Sequence, residues 1–281
     1  MDRLAVAAER NRRHYDSLPS GNAVRSVEIQ PGKNDERIVC FLNTIPQLHD
    51  AAAYRALSYC WGDATDAAEI LCNGTPFFIT RSLLAALQRL RSGDSTILLW
   101  VDAMCINQHD IAERNHQVSI MRQIYSQATQ ADIWLGEADA TTAEAVELIE
   151  KMAMQWCSTT YGPPESGDRF WWARNLHDED DPGGLLRAFN KPGPTDSSDL
   201  GWRAIVRYYQ HPWFTRVWVI QEIQSSRRAW VHCDGTRTEW KFVALVARWA
   251  LQQQLIGALD RHLSLRGLRQ APVIQEQLWS N

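Results

Sequence analysis

Two stretches of the chain carry residues whose types and spacing suit chemistry. The run Ile97–Gln108 opens as an unbroken apolar strand and ends by delivering Asp102, Asn107 and Gln108 to a polar turn before a helix. A buried strand that presents a carboxylate and amides at its C-terminal end is where an open α/β sheet meets a ligand. Far downstream, Trp218 and Glu222 stand four residues apart in Trp213–Ile223, which reads as a helix opened by Pro212. At that spacing they share a helix face with Thr215 and Ser225, so a carboxylate sits beside an aromatic wall and can face a pocket. The bland alternatives stay open. A helical glutamate is commonly solvated, and Asp102 equally suits a helix cap or a partner for Arg114.

Other constellations are weaker. Cys105 with His109 or His116 resembles a thiol and base, but Cys105 directly follows a buried strand and no oxyanion donor is identifiable. The cluster His177–Asp181 offers metal-like side chains, yet five consecutive residues cannot converge on one ion, so no metal site is expected. Neither G-x-G-x-x-G nor G-x-x-x-x-G-K-[ST] occurs, so any nucleotide must be held without a glycine-rich phosphate loop.

The elements that would position these groups alternate between strand and helix. Residues 1–17 read as a weakly amphipathic helix, and Val24–Gln30 and Arg37–Leu42 as a hairpin around Pro31-Gly32-Lys33-Asn34. Tyr54–Asp63 is an aromatic and aliphatic strand. Glu69–Cys72, Asn73-Gly74 and Pro76–Ile79 form a second hairpin, because Asn-Gly supplies both positive-φ positions of a type I′ turn. Thr80 caps a helix with Leu83, Leu84, Leu87 and Leu90 on one face. Asp110 and Glu113 open another in which Ile111, Val118, Met121, Tyr125 and Ala128 recur at helical spacing. A strand at Ala131–Leu135 and a helix through Trp156 follow. Regular structure resumes around Trp202 and ends with a strand at Ala229–Cys233 and a helix at Trp240–Leu255. This alternation predicts a mostly parallel sheet with helices on both faces, plus an N-terminal β-hairpin extension. The expected divisions are an extension over 1–50, a main domain over 51–240 with a flexible insert near 158–200, and a helical tail over 241–281.

Composition narrows the function classes. With 29 Lys and Arg against 33 Asp and Glu, the net charge of −4 gives no basic footprint for nucleic acid. No run reaches the roughly 18 apolar residues of a membrane span, and the early charges of the N-terminus do not suit a secretory signal, so a cytoplasmic location is expected. Six scattered cysteines without a C-x-x-C pair read as buried free thiols. Thirteen tryptophans are many, and those beside polar residues are candidates to line a groove.

Five blocks in order carry a family likeness. They are Tyr-x-Ala-Leu-Ser-Tyr-x-Trp-Gly from Tyr54, Leu-Trp-Val-Asp-Ala-x-Cys-Ile-Asn-Gln from Leu99, Glu-Arg-x-x-Gln-Val-x-x-Met from Glu113, Ile-Tyr-Ser-x-Ala from Ile124, and Trp-Leu-Gly from Trp134. Together they resemble the fungal heterokaryon-incompatibility (HET) domain, and Trp213–Glu222 looks like its distal motif. The resemblance implies a programmed cell-death effector of fungal innate immunity, with receptor-type signalling partners in some members. A more distant likeness joins this domain to the Toll/interleukin-1 receptor (TIR) domain, a flavodoxin-like fold. Its enzymatic members cleave NAD+ with the glutamate of a Trp-Cys-x-x-Glu-Leu helix. Here Trp218, Glu222 and Ile223 keep the spacing, and Val219 replaces the cysteine.

What the likeness implies is specific. Glu222 would be the catalytic residue of an NAD+ glycohydrolase, stabilising an oxocarbenium-like transition state at the ribose. Ser58, Tyr59, Trp61, Asp102, Asn107 and Trp218 would bind the nucleotide, the aromatic rings by stacking and the polar groups through ribose hydroxyls. NAD+ is then substrate rather than cofactor, no further cofactor is required, and self-association accompanies activation. The alternative is a non-catalytic death-signalling module that self-associates or recruits partners.

Overall fold

The computed structural model describes residues 9–19, 21–33, 35–63, 65–161, 199–216, 222–223 and 225–252. The chain divides into two compact units, one formed by Met1–Gly136 with Trp218–Gly235 and the other by Glu137–Val217 with Thr236–Asn281.

The first unit is built on one sheet. Its strands are β1 (Val24–Ile29), β2 (Val39–Ile45), β3 (Arg55–Tyr59), β4 (Ala67–Cys72), β5 (Thr75–Thr80), β6 (Ile97–Trp100), β7 (Gln130–Trp134) and β8 (Ala229–Cys233). They lie in the order β5-β4-β2-β1-β6-β3-β7-β8. β6, β3, β7 and β8 run parallel, β2 and β4 form another parallel pair, and β1 with β2, β1 with β6 and β4 with β5 are antiparallel. The parallel part has the strand order of flavodoxin-like sheets, with the first strand in sequence between the second and third. The N-terminal hairpin belongs to this sheet, since β1 pairs with both β2 and β6. The tip of the second hairpin is Asn73 and Gly74, both at positive φ as a type I′ turn requires.

The helices of this unit are α1 (Arg81–Leu90), α2 (Asp102–Cys105), α3 (Ile111–Ser119) and α4 (Met121–Gln127). Thr80 caps α1, its side chain accepting from the Leu83 N–H, and Leu83, Leu87 and Leu90 are buried. The single helix expected from Asp110 to Ala128 is broken at Ile120. The Ser119 hydroxyl donates to the His116 carbonyl at 2.7 Å, the same carbonyl that the Ile120 N–H reaches. A hydroxyl bonded back into the helix competes with the regular ladder and bends it. The break shifts the phase, so Met121, Ile124 and Tyr125 pack inward while Ile111 is 63% exposed. α3 attaches through polar groups instead. Its fully buried Gln117 donates to the Ala23 carbonyl at 2.8 Å, and Glu113 meets Arg25.

Near the N-terminus, residues 9–11 are helical and Arg12–His14 forms a 3-10 turn, while the earlier part of the expected helix lies outside the described residues. The turn is fastened by Asn11, which exchanges hydrogen bonds with the backbone of Phe78 on β5.

In the second unit, α5 (Thr142–Tyr161), α6 (Asp199–Tyr208), a 3-10 turn at Pro212–Thr215, β9 (Thr236–Glu239) and α7 (Trp240–Gln252) surround an aromatic core. Ala145, Ile149, Ala153 and Trp156 form the buried stripe of α5 at helical spacing. Trp202 stacks on Trp249 at 5.3 Å between ring centres, and Trp213 meets Trp240 edge-on at 5.5 Å. The helix expected from Trp213 is a short 3-10 turn that stops at the extended Arg216. Trp213 and Phe214 are adjacent and both fully buried, which an α-helix with one apolar face does not readily allow. Residues 162–198 and Trp218 lie outside the described residues, as does the whole segment beyond α7.

Arg25 tests how much the first unit depends on its polar fastenings. The pair with Glu113 is buried at both ends, so Arg25→Ala strands a carboxylate and lowers the unfolding free energy by about 3–5 kcal/mol. The half-exposed Arg37–Glu69 pair is the control, and Arg37→Ala costs less than about 1 kcal/mol. Urea midpoints of the two variants check both outcomes.

Candidate functional site

The C-terminal end of β3 is the centre of the candidate site. Pairing with β6 on one side and β7 on the other fixes its pleat, and successive side chains leave opposite faces. Ser58 therefore shares a face with Ile133 and Val231, and Tyr59 shares the other with Trp134 and His232.

On the first face, the Ser58 hydroxyl donates to Glu222 Oε2. Ser58 is 1% exposed and Glu222 4%, so both groups are removed from bulk water. Burying either without a partner would carry the full desolvation penalty, and the bond between them offsets it. Glu222 and Ile223 are helical, Ile223 is buried, and the Ser226 hydroxyl closes the turn by donating to the Glu222 carbonyl at 2.7 Å. The glutamate is thus held against the sheet just before β8. Its proposed aromatic neighbour, Trp218, lies outside the described residues.

Tyr59 and Trp61 belong to a different arrangement. The Trp61 indole N–H donates to Asp102 Oδ2 at 3.0 Å, which turns the half-exposed ring across the loop after β6. Asp102 Oδ1 accepts from the Ala103 N–H at 2.7 Å, and the Asp102 carbonyl accepts from the Gln108 amide at 3.1 Å. Tyr59 and Trp61 line a cavity of about 130 Å³ together with Tyr15, Phe78, Ala103 and Gln108. Asn107 is used structurally. Its N–H donates to Glu113 Oε1 at 2.7 Å and its side-chain oxygen accepts from the His109 N–H at 3.2 Å.

The residues singled out from the sequence thus fall into two groups, Ser58 with Glu222 and Tyr59 with Trp61 and Asp102. Asn107 shapes the loop between strand and helix. Cys105 is fully buried, and that burial pushes its thiol up to about 12, which removes it as a nucleophile near neutral pH. Of the six cysteines, all free, Cys60 alone is half-buried and the others are buried. Cys40 and Cys72 stand opposite each other in the β2–β4 register. The His177–Asp181 cluster lies outside the described residues, and among those described no group of three or more His, Cys, Asp and Glu side chains is arranged to hold a metal ion.

Two buried polar clusters escaped the sequence reading. The first is Asp132, which is fully buried on β7. Arg55 Nε donates to its Oδ2 at 2.5 Å, His232 Nε2 lies 2.8 Å from Oδ1, and the Gln130 amide donates to Oδ1 at 2.9 Å. Burial alone would raise the carboxyl, but the bonds from His232 and Arg55 and their charge outweigh it and hold Asp132 below the usual carboxylate range. The second is Arg25 with Glu113. The available signal in both cases was a charged residue inside an apolar strand, as in Ala-Asp-Ile-Trp and Val-Arg-Ser-Val.

Comparison with known proteins gives a consistent result. The family model described as Heterokaryon incompatibility protein (HET) matches residues 54–222. The chain is also similar to Heterokaryon incompatibility protein 6, OR allele, of Neurospora crassa, 28% identical over 231 residues, covering 74% of this chain and 33% of that protein. It spans about a third of the length of that relative. No solved structure matches significantly.

The matched span contains Arg55 and Asp132, and their cluster has a pH signature. A carboxyl held below its unfolded value of about 3.9 contributes stability that is complete above that pH and is lost as pH falls through the folded value. Urea unfolding of the wild type between pH 7 and 3 therefore shows a decline that begins near pH 4. Asp132→Asn shows a shallower decline over the same interval.

Proposed function

The chain belongs to the heterokaryon incompatibility (HET) family, and on that premise we propose that it acts in incompatibility cell death by cleaving NAD+ at the nicotinamide–ribose bond. The observation that supports this reading is the Ser58–Glu222 pair, a buried carboxylate oriented by a hydroxyl at the C-terminal end of a parallel strand. Strand ends of this kind are where open α/β sheets carry their ligands.

The chemistry needs little more than a carboxylate in the right place. Nicotinamide departs from a cationic pyridinium, taking the electrons of the C1′–N bond and leaving as a neutral molecule, so no general acid is required. Positive charge develops on C1′ and the ring oxygen of the ribose. Glu222 stabilises that charge electrostatically, and its low exposure strengthens the interaction relative to water. Water then adds to C1′ and releases a proton, giving ADP-ribose. Ser58 is a positioning residue that fixes the carboxylate through Oε2. In this reading the protein works in the cytoplasm, self-associates on activation and answers to a receptor-type partner.

A second reading is favoured by the same low exposure. A carboxylate that is 4% exposed and bonded to a serine also suits a structural tie inside a non-catalytic death-signalling module. Nicotinamide release from NAD+ separates the two. Glu222→Gln keeps an acceptor for Ser58 but removes the charge. It lowers turnover by about 100-fold or more while the unfolding midpoint stays near that of the wild type. Intact NAD+ after incubation with wild-type protein of demonstrated self-association would sink the catalytic reading. Cell death that persists in Glu222→Gln would support the module.

A further inference from the structure

The cavity beside Tyr59 and Trp61 is built differently from the Ser58–Glu222 pair. It is floored by Ala67 of β4 and Phe78 of β5 and walled by the residues that follow β3 and β6. Neither Ser58 nor Glu222 is among its lining residues. Its polar side chains are largely turned away from the space they surround. Asn11 is bound at both ends to the Phe78 backbone, at 2.7 and 2.8 Å. The Tyr15 hydroxyl donates to the Met104 carbonyl at 3.0 Å, and Thr80 accepts from the Leu83 N–H at 3.3 Å. The Trp61 indole and the Gln108 amide nitrogen are committed to Asp102. The interior is lined by ring surface from Tyr15, Tyr59, Trp61 and Phe78, by Ile79 and Ala103, and by the side chains of Gln108 and His109.

These features select a ligand by size, charge and shape. The volume of about 130 Å³ is close to the roughly 150 Å³ apolar cavity that accommodates a single benzene ring. A lining of aromatic faces favours a flat partner in offset or edge contact. No Lys, Arg, Asp or Glu lines the cavity, so an ionised group would lose its hydration without meeting one of these charges. With its nitrogen held by the Asp102 carbonyl, the Gln108 amide keeps its oxygen for an N–H donor.

From this combination we infer that the cavity is a binding site for an uncharged monocyclic aromatic carboxamide. Nicotinamide is the member of this class that the reaction proposed above would release, so the source of the ligand rests on that reading. Binding itself does not, because the cavity is complete without Glu222. The ring lies among Tyr15, Tyr59 and Phe78 with Trp61 across the opening, and its carboxamide N–H donates to Gln108.

Isothermal titration of nicotinamide, benzamide and nicotinate into the full chain tests the site. Nicotinamide and benzamide bind saturably to the wild type and with unchanged affinity to Glu222→Gln. Nicotinate, the charged analogue, binds at least about tenfold more weakly. Ala67→Leu fills the floor and weakens nicotinamide by about tenfold or more. Gln108→Leu, which keeps the side-chain volume and removes the acceptor, does the same should Ala67→Leu fail to fold. Absence of saturable binding in the wild type overturns the site, as does unchanged affinity in a folded Ala67→Leu or Gln108→Leu. Loss of binding in a folded Glu222→Gln overturns it too, by assigning the ligand to the other face. An inert NAD+ assay with intact nicotinamide binding would refute the catalytic reading and support this one.

Discussion

A guanidinium buried to 2% exposure at Arg25 is the constraint on which the first unit depends. Such a charge is tolerated only when its donors are met by charge and by carbonyls together. Glu113 takes two of its hydrogen bonds, at 2.6 and 3.1 Å, the Cys105 carbonyl a third and the Asp16 carbonyl a fourth, while the Tyr15 ring lies 5.0 Å from the cation. These partners belong to three different segments. β1, the N-terminal turn, the end of α2 and the start of α3 are thereby fixed to one point, and the Asn107 N–H joins through Glu113. The loop from Val101 to Asp110 has little regular structure of its own to stiffen it. It acquires a defined shape from this hub, and with it Asp102, Gln108 and the orientation of the Trp61 ring.

The family blocks read from the sequence therefore serve two purposes. Glu113 and Gln117 fasten α3 to β1, and the hydroxyls of Tyr54 and Tyr125 reach the carbonyls of Ile124 and Leu57. These residues hold the frame, although a glutamate or tyrosine in a motif invites a chemical role. Ser58, Tyr59, Trp61 and Glu222 are the ones left facing each other or a cavity. Distinguishing the groups requires knowing which polar atoms are already engaged, and that is a property of the folded chain.

How far the sequence could be read follows from the range of each interaction. The second hairpin, the Thr80 cap and the alternation of strands and helices were readable because periodicity and turn chemistry act over a few residues. Neighbouring residues such as Ser58 and Tyr59 were grouped into one site, yet strand alternation alone sends them to opposite faces. Arg25 and Glu113 lie 88 residues apart, Asp132 and His232 100 apart, and Ser58 and Glu222 164 apart. No local pattern selects such partners. A helix break such as the one at Ile120 is intermediate: Ser119 was visible, but its bond back to His116 was one of several choices open to a serine.

The limits of the family match acquire a physical meaning from the 164-residue contact. The match begins at Tyr54, one residue before β3, and ends at Glu222, so its two ends include the residues that meet in the Ser58–Glu222 bond. Arg25 lies outside it, although the loop carrying Asp102 depends on that side chain. Between β7 and Glu222 the chain passes through the second unit and returns to the first at Trp218, four residues before the glutamate. A surface carboxylate could be displaced by such a detour with little consequence. A carboxylate that must arrive buried against a particular serine constrains both the entry strand and the returning turn, whatever lies between. The pair therefore joins β3, the first of the four parallel strands in sequence, to the turn that leads into β8.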